Sequence, residues 1–179
     1  YNIFNQLHKG LQALLYDTAI MLQQTAFCNA TEGKYAIEKL DMLLHLFSEH
    51  ASVEDKHLLP SLRSLDEIAI CTLEKDHQAD RAMISRLKGL MLAYEQAVTG
   101  SEKLEIGTII GHAYRDFLVS NLRHMCREEE ILNNILWSRF TDAEIFAIEQ
   151  IILSQIPQEE LTAYSLWMIR GMNNHEIIA

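Results

Sequence analysis

Apolar residues recur every three to four positions through most of the chain, the period of an α-helix that buries one face. Four such stretches are long, roughly residues 2 to 28, 33 to 63, 66 to 98 and 102 to 138, and short polar breaks at 29–33, 64–66 and 99–101 separate them. Connections this short make consecutive helices antiparallel neighbours, which predicts an all-α, up-down-up-down four-helix bundle over residues 1–138. A fifth helix is expected after Thr141, which has Glu144 three residues on as in a capping box, and a sixth from Pro157, carrying Leu161, Tyr164, Trp167 and Met168. These make up a C-terminal helical extension, residues 139–179, expected to pack on the same domain, either as a cap on the bundle or as a homodimer contact. No internal repeat, low-complexity tract or second domain is visible.

Composition agrees with this reading. Of 179 residues, 49% are hydrophobic, enough for one domain with a sizeable core, and 7 Gly and 2 Pro leave few chain reversals. Net charge is −10 and no Lys/Arg cluster follows a phosphate backbone, so nucleic acid is not an expected partner. Apolar runs such as residues 151–153 are far too short to span a membrane, and no signal-peptide pattern is present; a soluble, cytoplasmic protein is expected. The first residue is Tyr1 and not Met, which leaves open whether residues precede it. Cys28, Cys71 and Cys126 lie far apart without a Cys-x-x-Cys pair, arguing against both a disulfide framework and a zinc ribbon.

The informative residues are polar ones that fall inside the apolar stripes. At 100° per residue, His50 and Glu54 sit in the middle of the stripe formed by Leu40, Leu43, Phe47 and Leu58. His124 and Glu128 are framed in the same way by Ile110, Ala113, Phe117, Ile131 and Ile135. His8, beside Phe4, Leu11 and Leu15, and His77, beside Leu73, Ile84 and Met91, lie at the edges of their stripes. Chance supplies about one His-x-x-x-Glu pair in such a composition, so the motif alone is weak. The pairs His45/Glu49 and His112/Asp116 point away from their stripes and read as solvated surface pairs. The two pairs inside stripes are different, because a carboxylate is almost never buried without a partner. Counting residues from each candidate to its nearest break, at about 1.5 Å per residue, brings His8, His50, Glu54, His77, His124 and Glu128 to one depth of the bundle to within about a turn.

Four imidazoles and two carboxylates in an apolar core need compensating charge, and no Lys or Arg faces the site in sufficient number. A pair of metal ions provides it. Each His would ligate one ion while the Glu one turn on bridges to the other, giving each ion two imidazoles and two shared carboxylates. Mixed imidazole and carboxylate ligation suits iron or manganese better than calcium or structural zinc.

In these residues, His8, His50-x-x-x-Glu54, His77 and His124-x-x-x-Glu128, the chain resembles the hemerythrin-like, or HHE cation-binding, domain family over about residues 2 to 136. The resemblance implies two iron ions bridged by oxo or hydroxo, with manganese or zinc as substitutes, and members that bind O2 or NO or that store, sense or deliver iron. It implies a metal-binding and small-ligand-binding protein more than an enzyme turning over an organic substrate. One departure is clear: oxygen-carrying members have a fifth histidine one turn before the third-helix ligand, where this chain has Leu73. That favours iron handling, NO chemistry or sensing over reversible oxygen carriage. His57, which a regular helix would place near His50 on the same stripe, is a further candidate ligand; the alternative is an end-of-helix histidine just before Pro60. The cysteine-bearing N-terminal domain of the family's iron–sulfur repair branch is also not seen.

Two rivals are weighed. A ferritin-like di-iron oxidase would use Glu54-x-x-His57 and Glu74-x-x-His77, but the first helix contains no Glu and Glu74 points far off its stripe. A metal-free helical interaction module would have to satisfy all six polar groups internally. Elsewhere, Glu129 and Glu130 read as a solvated acidic face, His175 as exposed, Phe47, Met91, Phe117 and Met125 as packing around the site, and Asn121 as a group able to orient a ligand.

Overall fold

Side-chain caps determine where most helices begin. The computed structural model, which describes residues 1–178, is all-helical, with no strand among the described residues. Helix α1 spans Asn5–Gln24 and α2 Ala30–Val53. Asn29 accepts hydrogen bonds from the backbone N–H groups of Thr31 and Glu32, a cap worth about 1 kcal/mol. Helix α2 therefore starts three residues before the expected position, and Gly33 lies inside its first turn. A Cβ there would collide with the Tyr94 hydroxyl, which donates to the Phe27 carbonyl at 2.8 Å.

The second predicted stretch is not one regular helix. After Val53 the chain widens into a π-helical turn, Glu54–Leu58, and then returns to α-helix in α3, Leu59–Leu62, with Pro60 in its first turn. Such a turn inserts a residue into the 3.6-residue register, and Leu58 and Leu59 are both buried beyond it. Helix α4, Glu67–Gln96, starts from Asp66, whose side chain accepts from the Ala69 N–H. Helix α5, Gly100–Arg139, and α6, Asp142–Leu153, open with reciprocal capping boxes, Thr99/Glu102 and Thr141/Glu144. Helices α7, Gln158–Gly171, and α8, Asn174–Ile178, complete the described chain.

Among these elements α4 packs on α5, α1 on both α2 and α5, α2 on α4, and α7 along α1. The α1–α7 approach is close because it is lined with glycine. A Cβ on Gly10 would lie 2.7 Å from the Met168 backbone nitrogen, and one on Gly171 would strike the Lys9 carbonyl. Tyr164 of α7 also donates its hydroxyl to the Leu46 carbonyl of α2 at 2.7 Å.

The interior holds two apolar clusters. The larger includes Leu11, Leu14, Leu43, Phe47, Ile84, Tyr114 and Phe117; the smaller includes Phe4, Leu58, Leu62, Ile70, Leu73, Leu132 and Ile145. Along the chain through each long helix, the fully buried apolar residues before the polar pair or histidine belong to one cluster and those after it to the other, Phe4 just ahead of α1 included. Phe4 and Leu11 flank His8, Phe47 and Leu58 flank His50 and Glu54, Leu73 and Ile84 flank His77, and Phe117 and Leu132 flank His124 and Glu128. The polar layer thus separates two hydrocarbon volumes.

Candidate metal centre

The six polar residues singled out in the sequence converge in that layer. His8 comes from α1, His50 from α2, Glu54 from the first position of the π-helical turn, His77 from α4, and His124 and Glu128 from α5. All are buried, none more than 6% exposed. Helical spacing accounts for the pairs: His50 Nε2 lies 3.4 Å from Glu54 Oε1 and His124 Nε2 lies 3.1 Å from Glu128 Oε1, each one turn along its helix. Across helices, His77 Nε2 lies 3.3 Å from Glu54 Oε2 and 3.5 Å from Glu128 Oε1, and His8 Nε2 lies 3.7 Å from Glu128 Oε2.

These approaches are close but misaligned for hydrogen bonding. All four Nε2 atoms and all four carboxylate oxygens of Glu54 and Glu128 are buried without a hydrogen-bond partner among the described residues. An orphaned buried polar group costs about 1–3 kcal/mol, more when charged, so eight of them in one layer would be a heavy penalty for a protein interior. Their shared direction explains them as donors to cations. They form two sets, His8, His50, Glu54, Glu128 and Glu54, His77, His124, Glu128, each with donor atoms within 4.8 Å of one another. That spread matches ligands about 2.1 Å from a common ion. Both sets contain Glu54 and Glu128, so the two carboxylates stand between two neighbouring positions. Imidazole and carboxylate donors without thiolate or carbonyl oxygen fit a transition metal of the iron or manganese kind.

Electrostatics without a cation shows the same strain. Burial, together with the neighbouring Glu128 charge, pushes the Glu54 carboxyl up to about 7. Burial also works to raise Glu128, but the contacts from His124 and His77 outweigh it and hold that carboxyl well below the usual range. Burial would lower His77, yet Glu128 and Glu54 raise it to about 11; His124 is raised against burial by Glu128. His50 is pushed down to about 3 by burial and by His8. The two carboxyls are pushed in opposite directions, as expected where two like charges share a small volume.

The outward ring nitrogens reveal groups that the sequence reading missed. His77 Nδ1 is 2.7 Å from Asp55 Oδ1, and His8 Nδ1 is 2.9 Å from Glu129 Oε1. His124 Nδ1 faces Asp76 Oδ2 at 3.6 Å. Arg81 holds Asp55 at 2.8 Å and Arg127 holds Asp76 at 2.6 Å. Glu129 is therefore only partly solvated, its carboxylate meeting His8, while Glu130 is exposed. A usable signal was present: each of these acids is adjacent in sequence to a residue of the centre, as in Glu54-Asp55, Asp76-His77 and Glu128-Glu129.

His57 is not brought to the centre. It is exposed on the π-helical turn and belongs to neither set, because the wider turn rotates it off the direction a regular helix would give. His45, His112 and His175 are exposed, and Glu74 pairs with Arg63. Cys28 and Cys126 are exposed thiols and Cys71 is half-buried.

One small cavity opens beside the centre, lined by Phe47, His50, His77, Asp80, Ile84, Asn121 and His124 among others, with room for little more than a water-sized molecule. Its wall carries the buried Asp80, whose Oδ1 accepts from Ser120 Oγ and Asn121 Nδ2, both at 3.3 Å. Burial raises the Asp80 carboxyl above its ordinary range. No helix among the described residues is long and apolar enough to cross a membrane.

A family model, that of the hemerythrin HHE cation-binding domain, matches residues 1–136. Comparison with curated proteins and with solved structures gives no match.

Proposed function

The chain belongs to the hemerythrin HHE cation-binding domain family, and from that premise we propose that it holds a binuclear non-haem iron centre which binds a small ligand such as O2 or NO, or handles or senses iron. The observation that carries this reading is the pair of four-donor sets sharing Glu54 and Glu128, with every inward nitrogen and oxygen otherwise unpartnered. Glu54 and Glu128 would be shared by both positions, with His8 and His50 completing one and His77 and His124 the other. Manganese or zinc fits the same donors as a substitute.

The four long helices run up-down-up-down in this reading. Support comes from the alternation of the two apolar clusters among the fully buried residues: smaller to larger from Phe4 into α1 and along α4, larger to smaller from α2 into the π-helical turn and along α5.

Iron supplies open coordination and, when reduced, electrons to a small ligand. The chain's own contribution is to place and protect. With Leu73 buried in the smaller cluster where oxygen carriers have an additional imidazole, both positions receive the same protein donors, two histidines and two shared carboxylates. Phe47 and Ile84 restrict entry through the cavity, while Asp80 and Asn121 give its wall hydrogen-bonding groups. A polar wall and symmetric donors favour NO binding or iron handling over reversible oxygen carriage.

The test is anaerobic loading with Fe²⁺, then exposure to NO or to O2 followed by absorption and EPR spectra. Two irons per chain and a new visible band with either gas are expected, and both are lost in His50→Ala and Glu128→Ala. Full metal content and unchanged spectra in both variants would overturn the reading.

A further inference from the structure

The outer carboxylates form an incomplete ring around the centre. Asp55 follows Glu54 on the π-helical turn and reaches His77 of α4; Asp76 precedes His77 on α4 and faces His124 of α5; Glu129 follows Glu128 on α5 and reaches His8 of α1. In each case an acid beside a centre residue on one helix faces the imidazole on the next helix around, within hydrogen-bond distance for Asp55 and Glu129 and at 3.6 Å, without a hydrogen bond, for Asp76. The pattern breaks between α1 and α2. The neighbours of His8 are Leu7 and Lys9, and Lys9 is engaged with Glu176, so no carboxylate meets Nδ1 of His50 among the described residues.

A carboxylate on the outer nitrogen fixes the tautomer and the ring plane and makes the inner nitrogen a better donor; its loss typically costs 10–100-fold in metal affinity. At the His77–His124 position both rings face acids, Asp55 within hydrogen-bond distance of His77 Nδ1 and Asp76 3.6 Å from His124 Nδ1, close enough to act on it by charge but not hydrogen-bonded, and each acid is braced by an arginine, Arg81 or Arg127, which fixes its place. At the His8–His50 position only His8 has one, and Glu129, with its side chain 35% exposed, has no arginine within ion-pair distance among the described residues.

We infer that the two metal positions are inequivalent, with His77–His124 the tight position that fills first and His8–His50 the exchangeable one, and that Asp55 and Glu129 are positioning residues acting separately on the two. This rests on the binuclear reading above but does not depend on the metal being iron. Repulsion between two dications separates two binding steps in any such site, so the assignment is read from which variant moves which step.

The experiment uses the metal-free full chain titrated with Co²⁺, followed by its visible bands and by calorimetry, with parallel crystals grown at one equivalent of Co²⁺. Two ions per chain are expected. Asp55→Asn should weaken the first step by about 10–100-fold, Glu129→Gln should weaken only the second by a similar factor, and the one-equivalent crystals should show anomalous density beside His77 and His124. Both substitutions are isosteric at partly exposed positions, and circular dichroism checks that the variants remain folded. Density beside His8 and His50, equal density at both positions, or a Glu129→Gln effect on the first step would overturn the inequivalence and leave the binuclear reading standing. A wild-type chain that takes up fewer than two ions would overturn both.

Discussion

Glu54 and Glu128 approach the same atom from two helices: Nε2 of His77 lies 3.3 Å from Glu54 Oε2 and 3.5 Å from Glu128 Oε1. Neither contact is aligned as a hydrogen bond, and every one of the four carboxylate oxygens is buried without a partner. Two acids do not converge on one imidazole in a hydrocarbon interior for stability, since replacing such groups by apolar ones is often neutral or favourable. They are placed for a bound cation, and the energetic consequences of that placement can be measured.

The first concerns pH. In the metal-free protein Glu54 titrates near 7 and His77 near 11, both raised, so the folded state holds protons that the unfolded state releases at lower pH. The Glu54 contribution is present below about 4.5 and lost as pH rises to about 7; that of His77 is present below about 6.5 and lost towards about 11. His50, lowered to about 3, acts oppositely between pH 6.5 and 3, so the two tendencies oppose each other in mild acid. Metal-free stability is therefore expected to fall with rising pH above about 6.5, by up to about 1.4 kcal/mol per pH unit for each such proton. Urea unfolding at a series of pH values checks this. A loaded protein should show a flatter profile, because metal replaces the protons.

Metal loading should also raise thermal stability. At free metal about 100-fold above Kd, the folded state gains about 2.7 kcal/mol. For a chain of this size that corresponds to roughly 5–10 °C in Tm. A calorimetric scan with and without chelator measures it, with proton release on rebinding expected in weak buffer.

The C-terminal helices give a separate prediction. Gly10→Ala places a methyl 2.7 Å from the Met168 backbone nitrogen, and Gly171→Ala drives one into the Lys9 carbonyl, so each should loosen α7 from α1 and cost about 1–3 kcal/mol. Gly111→Ala meets nothing within 4 Å and lies inside α5, so it should be neutral or stabilising by up to about 1 kcal/mol. Thermal melts of the three variants distinguish close packing from a general intolerance of substitution.

His57→Ala tests the boundary of the centre. The side chain is exposed and outside both donor sets, so metal content and affinity should match those of the unmodified protein. A loss of one ion per chain would show that the π-helical turn rearranges on loading.

That histidine also marks where sequence reasoning stops working. His8, His50, Glu54, His77, His124 and Glu128 were legible because a 3.6-residue period makes a polar residue inside an apolar stripe conspicuous, and because residue counts along rigid helices convert directly into depth. Both tools assume regular helix. The π-helical turn at Glu54–Leu58 breaks that assumption, which is why His57, expected beside His50, turns outward. Asp55, Asp76 and Glu129 carried only the signal of standing next to a centre residue: each faces an imidazole of a different helix, so its role depends on interhelical rotation that no single-helix wheel contains. The close fit of α7 on α1 was similarly invisible, since it depends on what stands opposite Gly10 and Gly171.

The central claim, two cation positions sharing Glu54 and Glu128, is tested most directly by metal stoichiometry after anaerobic Fe²⁺ loading and desalting. Two ions per chain are predicted for the unmodified protein, one for His8→Ala, and none retained for the double variant Glu54→Ala/Glu128→Ala. Two ions retained in the double variant, or a single ion in the unmodified chain, would contradict the account.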